Sequence, residues 1–289
     1  MREMCEIGAG SVIGRDHLRV LGEKNNQDSF AYVCNDLLFA VVTDGCGSEK
    51  NSEVGAKIGA RVMVELLGQV WASFTQDGKS VTLENFLGIN YLLSGVARIF
   101  LDKLRLFSEG PNFAETIREE FLFTVMGLVI TPTWTAVFSA GDGVYAVNGE
   151  VTVLDSGPNN QPDYPAYALF SPPVVRPSRY PFKIRTILAT DQVSSILIGT
   201  DGLNDLIAAE EKTLPGKQEF VGPLSQFWEE SQYFVNPDQV RRRLALINRE
   251  FVKGDWENQR LLKEPGLLHD DTTLIVVRRK MEDTSGSIT

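Results

Sequence analysis

The chain has 289 residues, of which 43% are hydrophobic and 23% charged, proportions that are typical of a globular protein. Its 28 basic and 38 acidic side chains give a net charge of −10, which repels phosphate backbones and argues against nucleic acid as a partner. The absence of a long apolar run, of an apolar leader in the first residues and of more than three scattered cysteines predicts a cytoplasmic protein with no membrane association and no disulfide framework.

The predicted elements run from strands through two long helices and back to strands. Apolar residues at helical spacing predict a helix from Asn51 to about Phe74 with Ser52 as its N-cap, and a second helix over residues 83–107. Short helices are predicted near Gly202 and after Asp238. Strands are predicted over residues 29–33, 37–43, 121–130, 134–140, 144–148, 151–154, 184–189, 194–200 and 272–278.

This order of elements predicts one α+β domain rather than two domains. Two antiparallel sheets packed face to face, with helices outside, would use the predicted elements economically. Residues 155–180 are rich in Pro, Tyr and Asn and predict a long excursion within the domain. The domain is expected to cover residues 1–280, and residues 281–289 are expected to form a polar, mobile tail.

Several aspartates share one context, the tip of a predicted strand. They are Asp28, Asp44, Asp142, Asp201, Asp270 and Asp271, and most of them stand beside glycine or at a turn. A single Asp-Gly pair is ordinary turn chemistry. If these tips converge, however, clustered carboxylates destabilise the fold unless cations neutralise them. Oxygen ligands favour Mg²⁺ or Mn²⁺ over zinc, and the carbonyl of Gly45 would be accessible as a ligand beside Asp44.

Five segments carrying these acids resemble one family, the type 2C metal-dependent serine/threonine protein phosphatases, in particular a bacterial branch. The segments are Asn26-Gln27-Asp28-Ser29, residues 41–48, Ser139-Ala140-Gly141-Asp142-Gly143, residues 199–205 and residues 270–277, and they occur in the family's order. The resemblance implies a four-layer α-β-β-α sandwich with a metal centre at one end of the two sheets. It also implies hydrolysis of phosphoserine and phosphothreonine in a phosphorylated protein, which would have a cognate kinase.

The resemblance also implies roles for individual residues. Asp44 resembles the ligand that bridges two Mn²⁺ or Mg²⁺ ions, with Gly45 lending its carbonyl, and Asp201 and Asp270 resemble the other direct ligands. Asp28 resembles the acid that orients the attacking water. Asp142 and Asp205 match positions that, together with Asp201, hold a weaker third ion in some family members.

The chain departs from the family at the phosphate-binding end of the motif. Gln27 stands where many members have Glu, and no arginine precedes the Gln27-Asp28 pair at the expected place. Phosphate binding is therefore expected from His17, Arg15, Arg19 or Lys24, with His17 preferred because the bacterial branch often has Gly-x-x-His. Cys46 replaces a histidine that serves animal members as a proton donor.

Other reaction classes fit the sequence less well. A cysteine phosphatase needs an arginine six residues after the thiol, and Ser11, Ala40 and Ser52 occupy those positions. No protein nucleophile accompanies the acids, so the expected mechanism is direct attack by water activated between two divalent ions. The alternatives left open are a catalytically impaired relative that acts as a regulatory binding module, and a phosphatase that acts on a small molecule.

Overall fold

Two five-stranded antiparallel sheets form the centre of the computed structural model, which describes residues 1–19, 25–76, 82, 86–157, 161–170 and 181–280. The strands are β1 Cys5–Val12, β2 Asp28–Cys34, β3 Leu38–Gly45, β4 Phe123–Ile130, β5 Trp134–Ala140, β6 Gly143–Val147, β7 Glu150–Leu154, β8 Lys183–Ala189, β9 Ser195–Gly199, β10 Phe251–Asp255, β11 Arg260–Glu264 and β12 Thr272–Arg279. One sheet has the order β1-β12-β9-β6-β7 and the other β2-β3-β4-β5-β8, while β10 and β11 form a separate hairpin.

Helices cover the outer face of each sheet. They are α1 Ser52–Gln76, α2 Phe86–Phe107, α3 Phe113–Phe121, α4 Leu203–Ala208, α5 Gln226–Glu229, α6 Gln232–Val235 and α7 Gln239–Ile247. The first three pack on the β2–β8 sheet, and the last four pack on the β1–β7 sheet. None of the described helices combines the length and the apolar character that crossing a bilayer requires.

The alternation of side chains along β3 explains the layering. Phe39 and Val41 lie in the core beneath α1 and α2, whereas Leu38, Ala40 and Val42 lie in the core between the two sheets. Strand β3 is buried along most of its length because both of its faces are covered. The predicted α+β, four-layer α-β-β-α sandwich is therefore confirmed.

Six elements were not predicted from the sequence, namely α3, α5, α6, β1, β10 and β11. Helix α3 lies where the sequence suggested only the approach to a strand, and its buried residues Ile117 and Phe121 are spaced one helical turn apart. Strand β1 carries two glycines, which weaken a strand pattern. Its Gly10 is required because a Cβ there would approach the Arg241 backbone nitrogen to 2.4 Å. The β10–β11 hairpin is largely exposed and lacks an apolar alternation.

Candidate metal centre

Asp28 and Asp44 lie opposite each other on neighbouring strands. They are partners in the antiparallel ladder between β2 and β3, so their side chains project from the same face of the sheet. The Asp28 side chain is buried, and its Oδ2 accepts a hydrogen bond of 2.8 Å from the Thr200 hydroxyl. Thr200 follows β9, which belongs to the other sheet. This hydrogen bond therefore links the two sheets at the end where Asp28 and Asp44 lie.

Asp201 and Asp270 come from the other sheet. Asp201 follows β9 and Asp270 precedes β12, and these two strands pair with each other. Asp201 and Asp44 lie close enough across the gap between the sheets for each to influence the pKa of the other. The acids that end separate strands therefore converge on one region, as the sequence predicts.

Asp142 approaches this region from the turn between β5 and β6. Gly141 and Gly143 on either side have φ angles of 89° and 133°, a conformation that favours glycine. The turn leaves Asp142 only 5% exposed. Its charge, like that of Asp270, contributes to the electrostatic environment of Asp44.

The crowding of carboxylates perturbs their protonation. Burial raises the pKa of Asp44 well above its usual value, and Asp28, Asp201, Asp270 and Asp142 raise it further. Burial, Asp270 and Asp142 likewise raise the pKa of Asp201 to about 7. Without a bound cation, some of these carboxylates must bind protons, or the ionised groups repel one another. The cluster thus has the electrostatic character of a cation-binding centre.

The unsatisfied oxygens of the cluster fit divalent ions. Among the residues that the structure describes, the buried Oδ1 atoms of Asp28 and Asp142 and the buried Oε1 of Gln27 have no hydrogen-bond partner. A buried oxygen without a partner is costly unless an ion or a bound water satisfies it. The donor set consists of carboxylate, amide and carbonyl oxygens, which match Mg²⁺ or Mn²⁺.

Gly45 and Asp205 occupy supporting positions at the centre. Gly45 ends β3 and is buried, and its N–H donates to the Gln27 carbonyl at 3.1 Å. Asp205 lies in the first turn of α4, where its Oδ2 accepts the N–H groups of His269 at 2.6 Å and Asp270 at 3.1 Å. Asp205 therefore fixes the backbone from which Asp270 projects.

Of the two predicted phosphate-binding side chains that the structure describes, His17 and Arg15, His17 lies at the acidic cluster. Its Nε2 lies 3.6 Å from Asp270 Oδ1 and its Nδ1 lies 2.9 Å from Asp271 Oδ1. The Arg15 guanidinium instead donates to the Gly266 carbonyl at 2.6 Å and contacts the His269 ring. Arg19 is described only in its backbone, within a short 3-10 helix, and Lys24 lies outside the described residues, as does the predicted tail of residues 281–289.

Two residues near the centre were not assigned a role from the sequence. Asp271 is buried and accepts hydrogen bonds from the backbone N–H groups of Gly14 at 2.6 Å and Gln27 at 2.5 Å. Tyr164, from the predicted excursion, packs against the same core cluster as Cys46. Burial raises the pKa of its phenol, and Cys46 and Asp44 raise it further. Asp271 was visible as a strand-tip acid, whereas no sequence signal indicated that Tyr164 reaches Cys46.

A family model described as protein phosphatase 2C matches residues 13–247. The chain belongs to the protein phosphatase 2C family. The matched region contains Asp28, Asp44, Asp142 and Asp201, and it ends before Asp270. The resemblance drawn from the five segments is confirmed. Membership of this family identifies the chain as a metal-dependent serine/threonine protein phosphatase, and no finding favours a non-catalytic binding module.

Solved structures of the phosphatase fold match over nearly the whole chain. A bacterial serine phosphatase matches with a TM-score of 0.53 and 13% identity, covering 96% of this chain and 99% of that one. The serine/threonine phosphatase Stp1 from Staphylococcus aureus matches with a TM-score of 0.53 and 13% identity, covering 96% of both chains. At these identities the likeness concerns the fold. A comparison with curated protein sequences gives no match.

Proposed function

We propose that this phosphatase hydrolyses phosphoserine and phosphothreonine in proteins through one water molecule activated between two divalent ions. The observation that carries the proposal is the convergence of Asp28, Asp142, Asp201 and Asp270 on Asp44. Two Mn²⁺ or Mg²⁺ ions, when bound, supply Lewis acidity and bring the pKa of a water toward neutrality. Attack on phosphorus then breaks the bond to the serine or threonine oxygen, releasing the protein alcohol and inorganic phosphate.

The residues that would hold the ions come from both sheets. Asp44 would bridge the two ions, with the Gly45 carbonyl beside it. The reason for this assignment is that the negative charges of the other four aspartates all raise the pKa of Asp44. Asp201 and Asp270 would complete the direct ligands from the opposite sheet. This division explains why the site needs the complete sandwich, since neither sheet alone supplies the ligand set.

Asp28 and Gln27 would bind and orient the attacking water. The Oδ2 of Asp28 is held by the Thr200 hydroxyl, and its buried Oδ1 has no partner among the described residues. The Gln27 amide is anchored through its NH₂ group to Ser52, which likewise leaves Oε1 available to accept a hydrogen bond from the water. An amide oxygen therefore does at Gln27 what a carboxylate oxygen does in relatives with Glu, without adding another negative charge.

Two further parts of the centre complete the proposal. Asp142 and Asp205 would hold a weaker third ion together with Asp201. His17 would bind the substrate phosphate, because its imidazole stands beside Asp270 and is the basic group described at the cluster. Arg15, Arg19 and Lys24 remain secondary candidates for this role. The cognate kinase and the cytoplasmic location stay predictions from the sequence.

The experiment is hydrolysis of a phosphothreonine peptide by purified protein with Mn²⁺, with Mg²⁺ and with a chelator. Asp44→Asn and Asp201→Asn should each reduce the Mn²⁺-dependent rate by at least 100-fold. Asp102→Asn, an exposed change on α2, is the matched control and should leave the rate unchanged. Full activity of Asp44→Asn, or activity of the wild type that survives the chelator, would remove the mechanism.

A further inference from the structure

The β10–β11 hairpin stands apart from both sheets and has a free edge. Strand β11 pairs with β10 alone, and all five of its residues, Arg260–Glu264, are exposed. Beyond that ladder, β11 makes no backbone hydrogen bond to any part of the chain that the structure describes. A strand with unpaired N–H and C=O groups along one side can accept a further strand by antiparallel pairing.

One face of the hairpin is anchored to the rest of the protein. Phe251 and Glu264 are partners in the ladder, so their side chains project from the same face. The Phe251 ring lies against Gly216, where an added Cβ would approach it to 2.4 Å, and Glu264 Oε2 accepts the Gly216 N–H at 2.7 Å. These contacts fix the position of the hairpin without covering the outer edge of β11.

The opposite face of the hairpin is apolar and exposed. Gly254 and Leu261 are partners in the ladder, and the Trp256 ring lies against Gly254, because a Cβ there would be 3.1 Å from Trp256 Cε2. Trp256 is 90% exposed and Leu261 is 64% exposed. An exposed tryptophan and leucine beside an unpaired strand edge are typical of a protein interaction surface.

The charge of the hairpin suits the approach of a second copy of the chain. The whole chain has a net charge of −10, which keeps two copies apart over most of their surfaces. Residues 251–264 have no net charge, because they contain three basic and three acidic side chains, namely Lys253, Arg260 and Lys263 against Asp255, Glu257 and Glu264. Two copies can therefore meet through their hairpins with little net repulsion.

The sequence of β11 also complements itself. If two copies of β11 pair antiparallel about a twofold axis through Leu262, each Leu262 faces its counterpart in the second copy. Arg260 then lies opposite Glu264 of the second copy, and the symmetry forms this pair of opposite charges twice. Leu261 lies opposite Lys263, whose aliphatic stem can cover it.

The other edge of the hairpin does not complement itself in this way. Pairing of β10 about its central residue would place Lys253 against Lys253 of the second copy, and like charges directly opposite each other are destabilising. Strand β10 is also less exposed than β11, since Gly254 and Asp255 are half-buried. The edge of β11 is therefore the one that fits a second copy.

We propose that two copies of this chain associate through β11, so that their hairpins form one four-stranded antiparallel sheet. Within one copy, Arg260 Nε contacts Asp255 Oδ2 at 2.9 Å, and the terminal nitrogens of the guanidinium can still donate to Glu264 of the second copy. Five residues from each copy form a small interface, so we expect a dissociation constant on the order of 10–100 μM. The association does not depend on hydrolysis or on bound ions.

The first test uses charge reversal, with association measured by analytical ultracentrifugation over a concentration series. Arg260→Glu and Glu264→Arg should each raise the dissociation constant of the dimer at least tenfold, because each places like charges opposite each other. An equimolar mixture of the two variants should dimerise, since every opposed pair again has opposite charges. Glu257→Arg, which makes the same charge change in the turn of the hairpin, is the matched control and should dimerise like the wild type.

Several results of this test would overturn the inference. They are a wild type that stays monomeric throughout the series, a mixture that stays as monomeric as its components, and charge-reversal variants that dimerise like the wild type. A control that dissociates would also overturn it, because net charge rather than strand pairing would then govern association. Circular dichroism verifies that each variant folds.

The second test examines the register and decides the matter if a charge-reversal variant does not fold. Directly opposed Cα atoms in an antiparallel pair are about 4.5–5.5 Å apart, which a disulfide can span. Leu262→Cys should therefore form a disulfide-linked dimer under mild oxidation, whereas Lys253→Cys on β10 should not. The wild type gives the background from the three native cysteines. Equal cross-linking of the two variants, or none in Leu262→Cys, would overturn the inference.

Discussion

Asp28 and Asp44 occupy directly opposed positions in the β2–β3 ladder, with both carboxyl groups at one end of the sandwich. Directly opposed side chains in an antiparallel pair have Cβ atoms about 4.5–5.5 Å apart, and like charges at that separation are destabilising. Burial makes the repulsion stronger, because water no longer screens the two charges. Asp201, Asp270 and Asp142 add three more acidic groups near Asp44. The strand register therefore crowds carboxylates together, and bound cations would stabilise this arrangement.

The first prediction concerns the stability of the metal-free protein as a function of pH. The pKa of Asp201 is about 7 in the folded state, well above that of an aspartate in an unfolded chain. The folded state therefore binds more protons between about pH 4 and pH 7, and its stabilisation is lost as the pH rises through that window. We expect the free energy of unfolding to fall by on the order of 1–3 kcal/mol across this range.

Chemical denaturation at several pH values with a chelator present checks this prediction. In Asp201→Asn the dependence should be clearly weaker, because the titrating group has been removed. Adding Mn²⁺ should restore the stability of the wild type most strongly near pH 8, where the carboxylates are ionised. A metal-free stability that increases between pH 5 and pH 8 in the wild type relative to Asp201→Asn would contradict the account.

A second prediction concerns Gly14, where the chain passes close to the metal centre. A Cβ at Gly14 would lie 2.4 Å from the Asp270 carbonyl carbon and 2.5 Å from the His269 carbonyl oxygen, so backbone must move. We expect Gly14→Ala to weaken Mn²⁺ affinity at least tenfold and to lower the melting temperature. In the control Gly68→Ala, a Cβ inside α1 would meet only Phe39 at 3.9 Å.

The control should behave in the opposite way. Alanine is a better helix former than glycine by roughly 0.5–1 kcal/mol, so Gly68→Ala should raise the melting temperature or leave it unchanged. Its Mn²⁺ affinity, measured by calorimetric titration, should equal that of the wild type. Equal Mn²⁺ affinities in the two alanine variants would mean that the approach of Gly14 to Asp270 has no bearing on the ions.

The third prediction separates water attack from attack by a thiol. Cys46 lies two residues after Asp44, and its Sγ is 3.2 Å from the Ser48 hydroxyl. Because the thiol has no part in the proposed chemistry, Cys46→Ser should retain Mn²⁺-dependent hydrolysis within about threefold. Steady-state rates on a phosphothreonine peptide provide the measurement, and a loss of 100-fold or more in Cys46→Ser would point to a covalent intermediate.

The layering and the acids at the strand ends were predictable because each leaves a local mark on the sequence. An apolar run that ends in Asp-Gly indicates a buried strand with a carboxylate at its tip, as at Asp44 and Asp201. The exposed hairpin formed by β10 and β11 leaves no such mark, because few of its side chains face a core. Helix α3 was missed for a related reason, since its charged residues outnumber the two that it buries.

The side-chain contacts around the acidic cluster were not predictable, because each depends on the position of a loop in the folded protein. Asp271 and His17 are separated by more than 250 residues, and no spacing rule relates them. Tyr164 and Cys46 are brought together only because both pack against the core cluster beneath α1 and α2. Arg15 is an example of a sequence position that was misleading. Its position suggested phosphate binding, but its guanidinium contacts the Gly266 carbonyl and the His269 ring.

The central claim, that acids from both sheets form one ion-binding hydrolytic centre around Asp44, is tested most directly by Mn²⁺ titration. Metal-free wild type and Asp44→Asn should be titrated by calorimetry, and the same preparations assayed on a phosphothreonine peptide. The wild type should bind two ions tightly, and Asp44→Asn should lose at least one of them together with activity. Wild-type stoichiometry, affinity and turnover in Asp44→Asn would contradict the claim.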